Sequence, residues 1–449
     1  MHLENALRYV AGEARVDLGD IRGHIDPEWI EQALEATGTA TVRRRRLPAE
    51  QVVWLVIGMA LMRKRSIAQV VDSLDLVLPA GPSAKKTRVA ASAIPRARSR
   101  VGAEAMGWLF ARSADDWAHA SADRHRWRDL ALYGADGTTL RVADTEENRE
   151  HFGGPDAGPR GPGAYPMVRL VALMALRSHL IASAAFGAYG NGETSYATEL
   201  WESVPNDSLT IVDKGFFGAN ILLPLQLAGQ NRQWLTRAKD KTKWRVVKKL
   251  GPKDYLVEMN VSREARKADP TLPAIWQART ISYKRKGFGE SAVLTSLTDP
   301  SKYPASEIVE LYHVRWELEL GYDEIKTEML NREECLRSKS PGSVTQEIWG
   351  ILIAYNLVRF EMEQAALEAA VEPIRISFVA ALVLVTDEFV WLAGTSPGAI
   401  PSRLRDLREK VARYVLPHRR DRPSYPRAVK IKMSGYPRNR RLPSRTLPK

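Results

Sequence analysis

The chain has 449 residues and carries 66 Lys and Arg against 53 Asp and Glu, a formal net charge of +13. Its hydrophobic fraction of 44% excludes a disordered chain, and its length has room for about three domains at roughly 150 residues each. The single cysteine, Cys335, excludes a disulfide scaffold and a thiolate zinc cluster, and it is typical of a reducing compartment.

The apolar runs are too short to cross a membrane. Residues 52–61 and 348–358 have about half the ~20 residues that a bilayer requires, and the N-terminus lacks a charged-then-apolar signal pattern. We therefore expect a cytoplasmic protein with no membrane partner.

The positive charge is concentrated in a basic tail, residues 417–449. From Arg419 onward eleven Lys or Arg accompany one acid, Asp421, which gives this stretch a charge of +10. Tyr425 and Tyr436 lie among these cations, and this composition favours a polyanion such as nucleic acid as the partner. A solvated end without a partner is the alternative.

Residues 1–125 are predicted to form a helical N-terminal domain. Capping residues and apolar spacing predict helices at 27–37, 52–62, 66–74 and 85–102. A short helix followed by a basic helix is typical of a helix-turn-helix, although ordinary helical bundles contain the same pattern. The candidate DNA contacts in this domain are Arg43, Arg44, Arg45, Arg46, Arg96, Arg98 and Arg100.

The pattern changes to strands after residue 126. The predicted elements are a strand at 131–142 with a kink at Asp136-Gly137, a hairpin of 167–176 with 180–188, a strand at 209–213 and a helix at 216–227. Strands followed by a strand-helix unit indicate a mixed α/β sheet.

Residues 239–291 are basic and lose the helical rhythm. Candidate strands at 244–247, 254–261 and 275–283 predict a β-rich insertion, which rejoins the main domain through a strand at 292–297. The following chain is predicted to be helical at 304–329, 344–370 and 374–393.

The helix near residue 320 has the most informative pattern. At 100° per residue, one arc of about 60° holds Tyr312, Arg315, Glu319 and Lys326. An apolar stripe lies directly beside this arc, whereas Glu317 points away from it. A carboxylate flanked by two cations and a phenol suits a phosphodiester and a divalent metal, while a row of surface salt bridges is the plain alternative.

Two further acids belong to separate elements. Asp136 lies within an apolar strand and Asp213 ends another, where an unpaired charge is costly. Each also has a local explanation, as a turn residue and as a helix cap. Together with Glu319 they supply the three acids that a two-metal phosphoryl-transfer site needs.

These residues resemble the Tyr-x2-Arg-x3-Glu-x6-Lys signature of the IS4 family of bacterial insertion-sequence transposases. Other stretches that resemble the family lie at Asp136-Gly137-Thr138-Thr139-Leu140 with Asp144, Thr145 and Asn148, and at 43–47, 66–70, 211–216, 294–297, 336–341 and 346–347. The resemblance covers most of the chain.

The resemblance implies an α/β fold with an RNase H-like mixed-sheet catalytic core. That core would comprise residues 126–238 and 292–340, with the β-rich insertion at 239–291 between them and a helical region at 341–416 after them. By the same resemblance Asp136, Asp213 and Glu319 would be the DDE metal ligands, holding two Mg²⁺ (or Mn²⁺) ions. The residues that would contact DNA phosphate are Tyr312, Arg315 and Lys326.

One position departs from the family. The best-studied relatives have a base-stacking Trp where this chain has Ser291. Trp276 or Phe288 is a candidate replacement, and packing in the core is the alternative for Trp276.

We therefore expect a nucleoid-associated DNA transposase that binds terminal inverted repeats, cuts the transposon ends and joins their 3′-hydroxyls to target DNA. Some members of the family cut through a hairpin on the transposon end. A homodimer or larger multimer would act on paired double-stranded ends. The alternatives are an RNase H-fold nuclease without strand transfer and a non-catalytic DNA-binding protein derived from a transposase.

Overall fold

A computed structural model describes residues 25–40, 47–78, 87–155, 165–285, 289–331, 335–392 and 400–417. Three groups of candidate residues therefore lie outside the described residues: Arg43 to Arg46, Phe288, and the basic tail from 418 onward.

The N-terminal part of the chain is helical, as predicted. Its helices are Pro27–Ala36 (α1), Ala49–Leu61 (α2), Ile67–Ser73 (α3), Ala93–Val101 (α4), Glu104–Ala114 (α5) and Ala120–Arg124 (α6). Asp26 caps α1 by accepting the Glu28 N–H at 2.9 Å, and Ser66 with Gln69 forms a capping box on α3. These local signals explain why the predicted starts of both helices are confirmed.

The basic helix predicted at 85–102 begins later than expected. Thr87–Arg88 (β2) instead pairs with Val77–Leu78 (β1), and α4 starts at Ala93. Pro95 explains the late start, because proline lacks the N–H that an interior helical position donates and fits only in the first turn. Since paired strands lie between α3 and α4, the short turn of a helix-turn-helix is not formed here.

One mixed sheet of nine strands forms the centre of the protein. Its strands are Ala131–Arg141 (β3), Met167–Ala175 (β4), Ile181–Ala188 (β5), Ser208–Val212 (β6), Arg232–Arg237 (β7), Arg245–Gly251 (β8), Asp254–Asn260 (β9), Ile275–Lys284 (β10) and Glu290–Thr295 (β11). The spatial order is β5-β4-β3-β6-β7-β11-β10-β9-β8. Strands β3, β6 and β7 are parallel neighbours, whereas β4 and β5 form the predicted antiparallel hairpin. This mixed α/β arrangement confirms the predicted fold class.

One detail of the sheet differs from expectation. Strand β3 continues through Asp136-Gly137 without the predicted kink, because both residues stay in register with Ala172 and Val171 of β4. The strands of the β-rich insertion are present as predicted, and β11 joins them to β7, so that they extend the central sheet.

Short helices cover the strand connections. They are Glu146–Phe152 (α7), Glu193–Glu199 (α8), Ala219–Leu227 (α9) and Arg263–Ala268 (α10). The helix predicted at 304–329 consists of Ala305–Val314 (α11), Trp316–Asp323 (α12) and a π-helical turn at Glu324–Met329, with an irregular step at Arg315. Its predicted apolar stripe is buried, with Leu318 and Ile325 at 0% and 1% exposure.

A 28-residue helix, Pro341–Glu368 (α13), packs against α2, α4 and α5 of the N-terminal part and against α7. Its Glu347 accepts from Arg63 of the N-terminal part at 2.9 Å, and its Asn356 bonds both backbone groups of Ile181. Helices Phe378–Leu392 (α14) and Ile400–Ala412 (α15) pack on its C-terminal half. Among the described helices, none is long and apolar enough to cross a membrane.

Candidate active site

Arg315 lies between two of the three predicted acids. Its Nη1 is 3.3 Å from Asp136 Oδ2, and its Nη2 is 2.9 Å from Glu319 Oε1. The Arg315 and Asp136 side chains are less than one-fifth exposed, so solvent screens their pair only in part. The helix that carries Glu319 is therefore tied to strand β3 through a shared guanidinium.

A glycine allows the helix to approach β3 this closely. A Cβ at Gly134 would lie 2.7 Å from Leu318 Cδ1 and 2.9 Å from Leu176 Cδ2. Because alternate residues of a strand share a face, Gly134 and Asp136 both face the helix. The small residue thus lets the acid two positions later meet Arg315.

Asp213, the residue that follows β6, lies beside Asp136 in the middle of the parallel strand β3. Ala135 pairs with Val212 in the β3–β6 register, and each acid is the next residue along its chain. The Asp213 carboxylate also accepts the Lys214 N–H and caps the 3₁₀ turn Lys214–Phe216, so the local capping role is real as well.

Burial raises the pKa of Asp136 to about 6. The Gly137 N–H and Arg315 oppose this rise, whereas the charges of Asp213 and Glu193 add to it. The excess of carboxylates around Asp136 gives the site an electrostatic preference for a cation.

The other two signature residues also face this region. Lys326 Nζ lies 3.2 Å from Thr138 Oγ1, on the same face of β3 as Asp136. Tyr312 is 8% exposed, and burial raises its pKa, with a further upward contribution from the charge of Asp213. The face predicted from helical spacing is thus assembled around β3 and the end of β6.

The donor atoms suit a hard divalent cation, since carboxylate oxygens are the ligands that Mg²⁺ prefers. Among the residues that the structure describes, however, no three carboxylate, imidazole or thiol groups converge closely enough to hold one ion. Arg315 occupies the space between Asp136 and Glu319. Metal binding between these two acids therefore requires the guanidinium to withdraw from at least one of them.

Two side chains at the site were not predicted from the sequence. Tyr322 was placed in the apolar stripe, but its hydroxyl donates to the Asp136 carbonyl at 2.5 Å and accepts the Ala172 N–H at 3.1 Å. Glu193 packs against Gly137, and the Glu193 carboxylate accepts a hydrogen bond from Arg169 at 2.9 Å. Helical spacing predicted that the Tyr322 ring is buried. No sequence pattern predicted the hydrogen bonds of its hydroxyl or the position of Glu193 at the site.

Two of the candidate DNA contacts have partners within the protein. Arg98 is 6% exposed and donates to Gln346 at 2.9 Å and to Ser338 at 3.0 Å, which corrects its interpretation as a surface contact. Arg96 is exposed, and Arg100, also exposed, donates to the Leu47 carbonyl at 3.2 Å.

Trp276 is also a core residue. It is 5% exposed and lies against Phe217 and Trp234, with ring centroids 5.8 and 5.4 Å away. The packing alternative therefore describes it better than base stacking. Ser291 pairs across the β10–β11 ladder with Tyr283, which is half-buried.

Comparisons with known proteins place the same regions in one family. Residues 15–111 match the insertion element 4 transposase N-terminal model, and residues 132–357 match the transposase DDE domain model. The InsG transposase of insertion sequence element IS4 from Escherichia coli (strain K12) is 40% identical over 441 residues, which cover 97% of this chain and 98% of that protein. The chain belongs to the IS4 family of DDE transposases.

Two further similarities concern transposases. The putative transposase InsZ of Escherichia coli (strain K12) is 38% identical over 215 residues, which cover 48% of this chain and 70% of that protein. A solved structure of a piggyBac transposase synaptic complex with hairpin DNA is 12% identical and covers 94% of this chain and 83% of that chain, with a TM-score of 0.38.

Membership of the IS4 family identifies the chain as an enzyme of the DDE transposase class, which acts on DNA and generally uses divalent metal ions. The DDE match contains Asp136, Asp213 and Glu319.

Proposed function

We propose that this IS4-family transposase binds the terminal inverted repeats of an insertion sequence, cuts the transposon ends and joins their 3′-hydroxyls to target DNA. The observation that supports this most directly is the shared guanidinium of Arg315, which brings Asp136 and Glu319 to one point. Asp213 follows the adjacent strand at the same edge of the sheet.

In this proposal Asp136, Asp213 and Glu319 hold divalent ions, two Mg²⁺ or Mn²⁺ per site. The ions would activate the attacking oxygen and stabilise the leaving oxygen of the phosphodiester. The chain itself would supply the carboxylates that hold the ions and the cations that hold the DNA backbone.

Tyr312, Arg315 and Lys326 are proposed to bind phosphate oxygens. Arg315 is suited to this because a guanidinium donates in a planar fork that matches either a carboxylate or a phosphate. If Asp136 and Glu319 held metal ions, the Arg315 guanidinium would be available to a DNA phosphate. Tyr312 is buried beside Arg315 and is proposed to orient phosphate rather than to attack it.

The DNA surface is proposed to extend from the site into the insertion. Residues 237–249 contain seven Lys or Arg and one Asp, a net charge of +6, and Lys239, Lys241 and Lys243 are exposed. This segment runs from the last residue of β7 into β8, and β7 lies next to β6, the strand that precedes Asp213. We propose that it, with Arg96 and the basic tail, neutralises backbone phosphates of paired double-stranded ends held by a homodimer or larger multimer.

The decisive experiment uses the full chain, a supercoiled plasmid carrying the DNA ends that flank the gene, and Mg²⁺. Ala replacements of Asp136, Asp213 and Glu319 are expected to abolish cleavage and leave end binding within about twofold. Asp323→Asn is the matched control, because Asp323 is an exposed acid on the same helix whose carboxylate accepts from Thr327. Robust cleavage by Glu319→Ala would overturn the site assignment.

The same plasmid assay separates the alternatives. Integration products indicate a transposase with strand transfer, nicked or linear products alone indicate a nuclease, and binding without cleavage indicates a non-catalytic protein. A hairpin step is tested by running the cleaved ends on a denaturing gel, where a hairpin end migrates as one strand of double length.

A further inference from the structure

A buried polar cluster lies behind the helix that carries Glu319. Glu317 is two residues before Glu319, so the two side chains point to opposite sides of the helix. Glu319 faces β3, whereas Glu317 is 7% exposed and lies 2.9 Å from His179 Nε2. The two acids therefore serve different partners on the same helix.

Helix α12 needs such contacts because it is short and its ends are irregular. It spans only Trp316–Asp323, between the irregular step at Arg315 and the π-helical turn at Glu324–Met329. At both ends the regular i→i−4 hydrogen-bond pattern is interrupted, although Arg315 and Glu324 keep helical backbone angles. Side-chain contacts along the helix therefore contribute to its rotation and to the direction of Glu319.

His179 occupies an unusual position for this purpose. It lies in the turn between β4 and β5, is 2% exposed, and has a φ of +63°. That left-handed conformation disfavours residues with a Cβ, and a buried imidazole needs partners at both nitrogens. The partners are present, which gives this turn a reason to contain histidine.

The partners of His179 also define its tautomer. Its Nδ1 is 2.6 Å from Arg359 Nη2, and a guanidinium can only donate, so Nδ1 accepts. Its Nε2 faces the Glu317 carboxylate, which is an acceptor, so Nε2 carries the proton. The chain of hydrogen bonds runs from Arg359 through the His179 ring to Glu317.

Arg359 of α13 reaches the same helix at a second point. Its Nε donates to Glu324 Oε2 at 3.0 Å, and the Tyr355 hydroxyl donates to that same oxygen at 2.9 Å. Glu324 is seven residues after Glu317, which is about two helical turns and places both acids on one side. The cluster therefore holds the helix on both sides of Glu319 along its length.

We propose that His179, Glu317 and Arg359 are positioning residues that set the rotation of α12 and hence the direction of the Glu319 carboxylate. This inference rests on the proposed role of Glu319 in metal binding. The hydrogen bonds of the cluster run to Glu317 and Glu324, behind the face that carries Glu319, and in this proposal they act on Glu319 through the helix.

The test compares two replacements of His179 in the full chain. His179→Leu removes both hydrogen bonds, whereas His179→Gln keeps an amide donor and an amide acceptor. We expect His179→Leu to lower the cleavage rate at saturating DNA at least tenfold and to raise the Mn²⁺ concentration for half-maximal cleavage several-fold, with the DNA Kd unchanged within twofold. His179→Gln should recover to within about threefold of the wild-type rate.

A merely structural role predicts another pattern. It would lower the melting temperature and the folded fraction, but folded His179→Leu protein would cleave at the wild-type rate with the wild-type Mn²⁺ dependence, and that result would overturn the proposal. Failure of His179→Gln to recover activity would overturn it too. If His179→Leu does not fold, Glu317→Gln is tested instead. We expect Glu317→Gln to lower the cleavage rate three- to tenfold at an unchanged DNA Kd. A wild-type cleavage rate in Glu317→Gln would contradict the proposed positioning role.

A spectroscopic measurement tests the cluster without using activity. In protein labelled with ¹⁵N-histidine, the signal that disappears in His179→Gln should show a protonated Nε2 and an unprotonated Nδ1 at pH 7.5. A protonated Nδ1 would overturn the proposed hydrogen-bond chain. Cleavage that survives Glu319→Ala would instead remove the proposed function, so the two failures are distinguishable.

Discussion

Arg315 and Asp136 are 179 positions apart in the chain, and their side chains meet with Nη1 3.3 Å from Oδ2. The same guanidinium also bonds Glu319, four residues later on the helix. In our proposal a cation of the protein thus stands where a metal ion would bind, which makes Arg315 both a competitor for the metal and a ligand for phosphate.

Arg315→Ala is expected to separate these two roles. Without the guanidinium, Asp136 and Glu319 repel each other and gain more from a bound cation, so Mn²⁺ should bind several-fold more tightly. Cleavage should fall at least tenfold, because the proposed phosphate contact is lost. Calorimetric titration of Mn²⁺ into DNA-free protein and the plasmid assay measure the two effects, and unchanged Mn²⁺ affinity would contradict the competition.

Asp136→Asn is expected to stabilise the metal-free protein at alkaline pH. The pKa of Asp136 rises from 3.8 to about 6 in the folded chain, so its favourable contribution is complete below pH 3.8 and is lost as pH rises through 6. A shift of this size corresponds to at most about 3 kcal/mol. Urea unfolding in EDTA should show Asp136→Asn more stable than wild type at pH 8 and nearly equal to it at pH 4.

The control for that comparison is Asp323→Asn, an exposed acid on the neighbouring helix. It should not reproduce the gain in stability at pH 8. Added Mg²⁺ should stabilise wild type more than Asp136→Asn at pH 8, and an equal gain in both would argue that Asp136 does not hold the ion.

Lys326→Ala is expected to weaken end binding through one lost phosphate contact. Lys326 is half-buried beside Thr138, and burial lowers its pKa, so its ammonium gains from a nearby anion. The slope of log Kd against log salt should decrease by about one. Lys267→Ala on the exposed helix α10 is the matched control, and an equal change in both variants would make the effect one of net charge alone.

The sequence was sufficient to predict the helices and strands whose start or face is determined by nearby residues. Asp26 and Ser66 mark helix starts by their caps, and the spacing of Arg315, Glu319 and Lys326 predicts a shared face that the structure contains. Membership of the IS4 family confirms the resemblance from which the DDE residues were chosen.

Local sequence signals did not predict contacts between side chains that are far apart in the chain. Whether an arginine such as Arg98 meets DNA or a glutamine 248 residues away depends on packing that local sequence does not encode. The same holds for Trp276, whose neighbours Phe217 and Trp234 come from other strands and loops. The spacing of apolar residues predicts that the Tyr322 ring is buried, but it does not predict the hydrogen bonds of the Tyr322 hydroxyl.

Tyr322→Phe is expected to loosen the contact between the helix and β3. The change removes the acceptor for the buried Ala172 N–H and the donor to the Asp136 carbonyl, while the ring keeps its packing. Leaving such groups unpaired costs about 1 to 3 kcal/mol, so the free energy of unfolding should fall by that amount. Because the lost bond ends on the backbone of Asp136, we also expect cleavage at saturating DNA to slow about tenfold with little change in DNA affinity.

Tyr196→Phe, which removes a hydroxyl bound to the Ala188 carbonyl away from Asp136, is the control for stability loss alone. If both variants lose stability equally and neither loses turnover, Tyr322 anchors the fold without setting the position of Asp136.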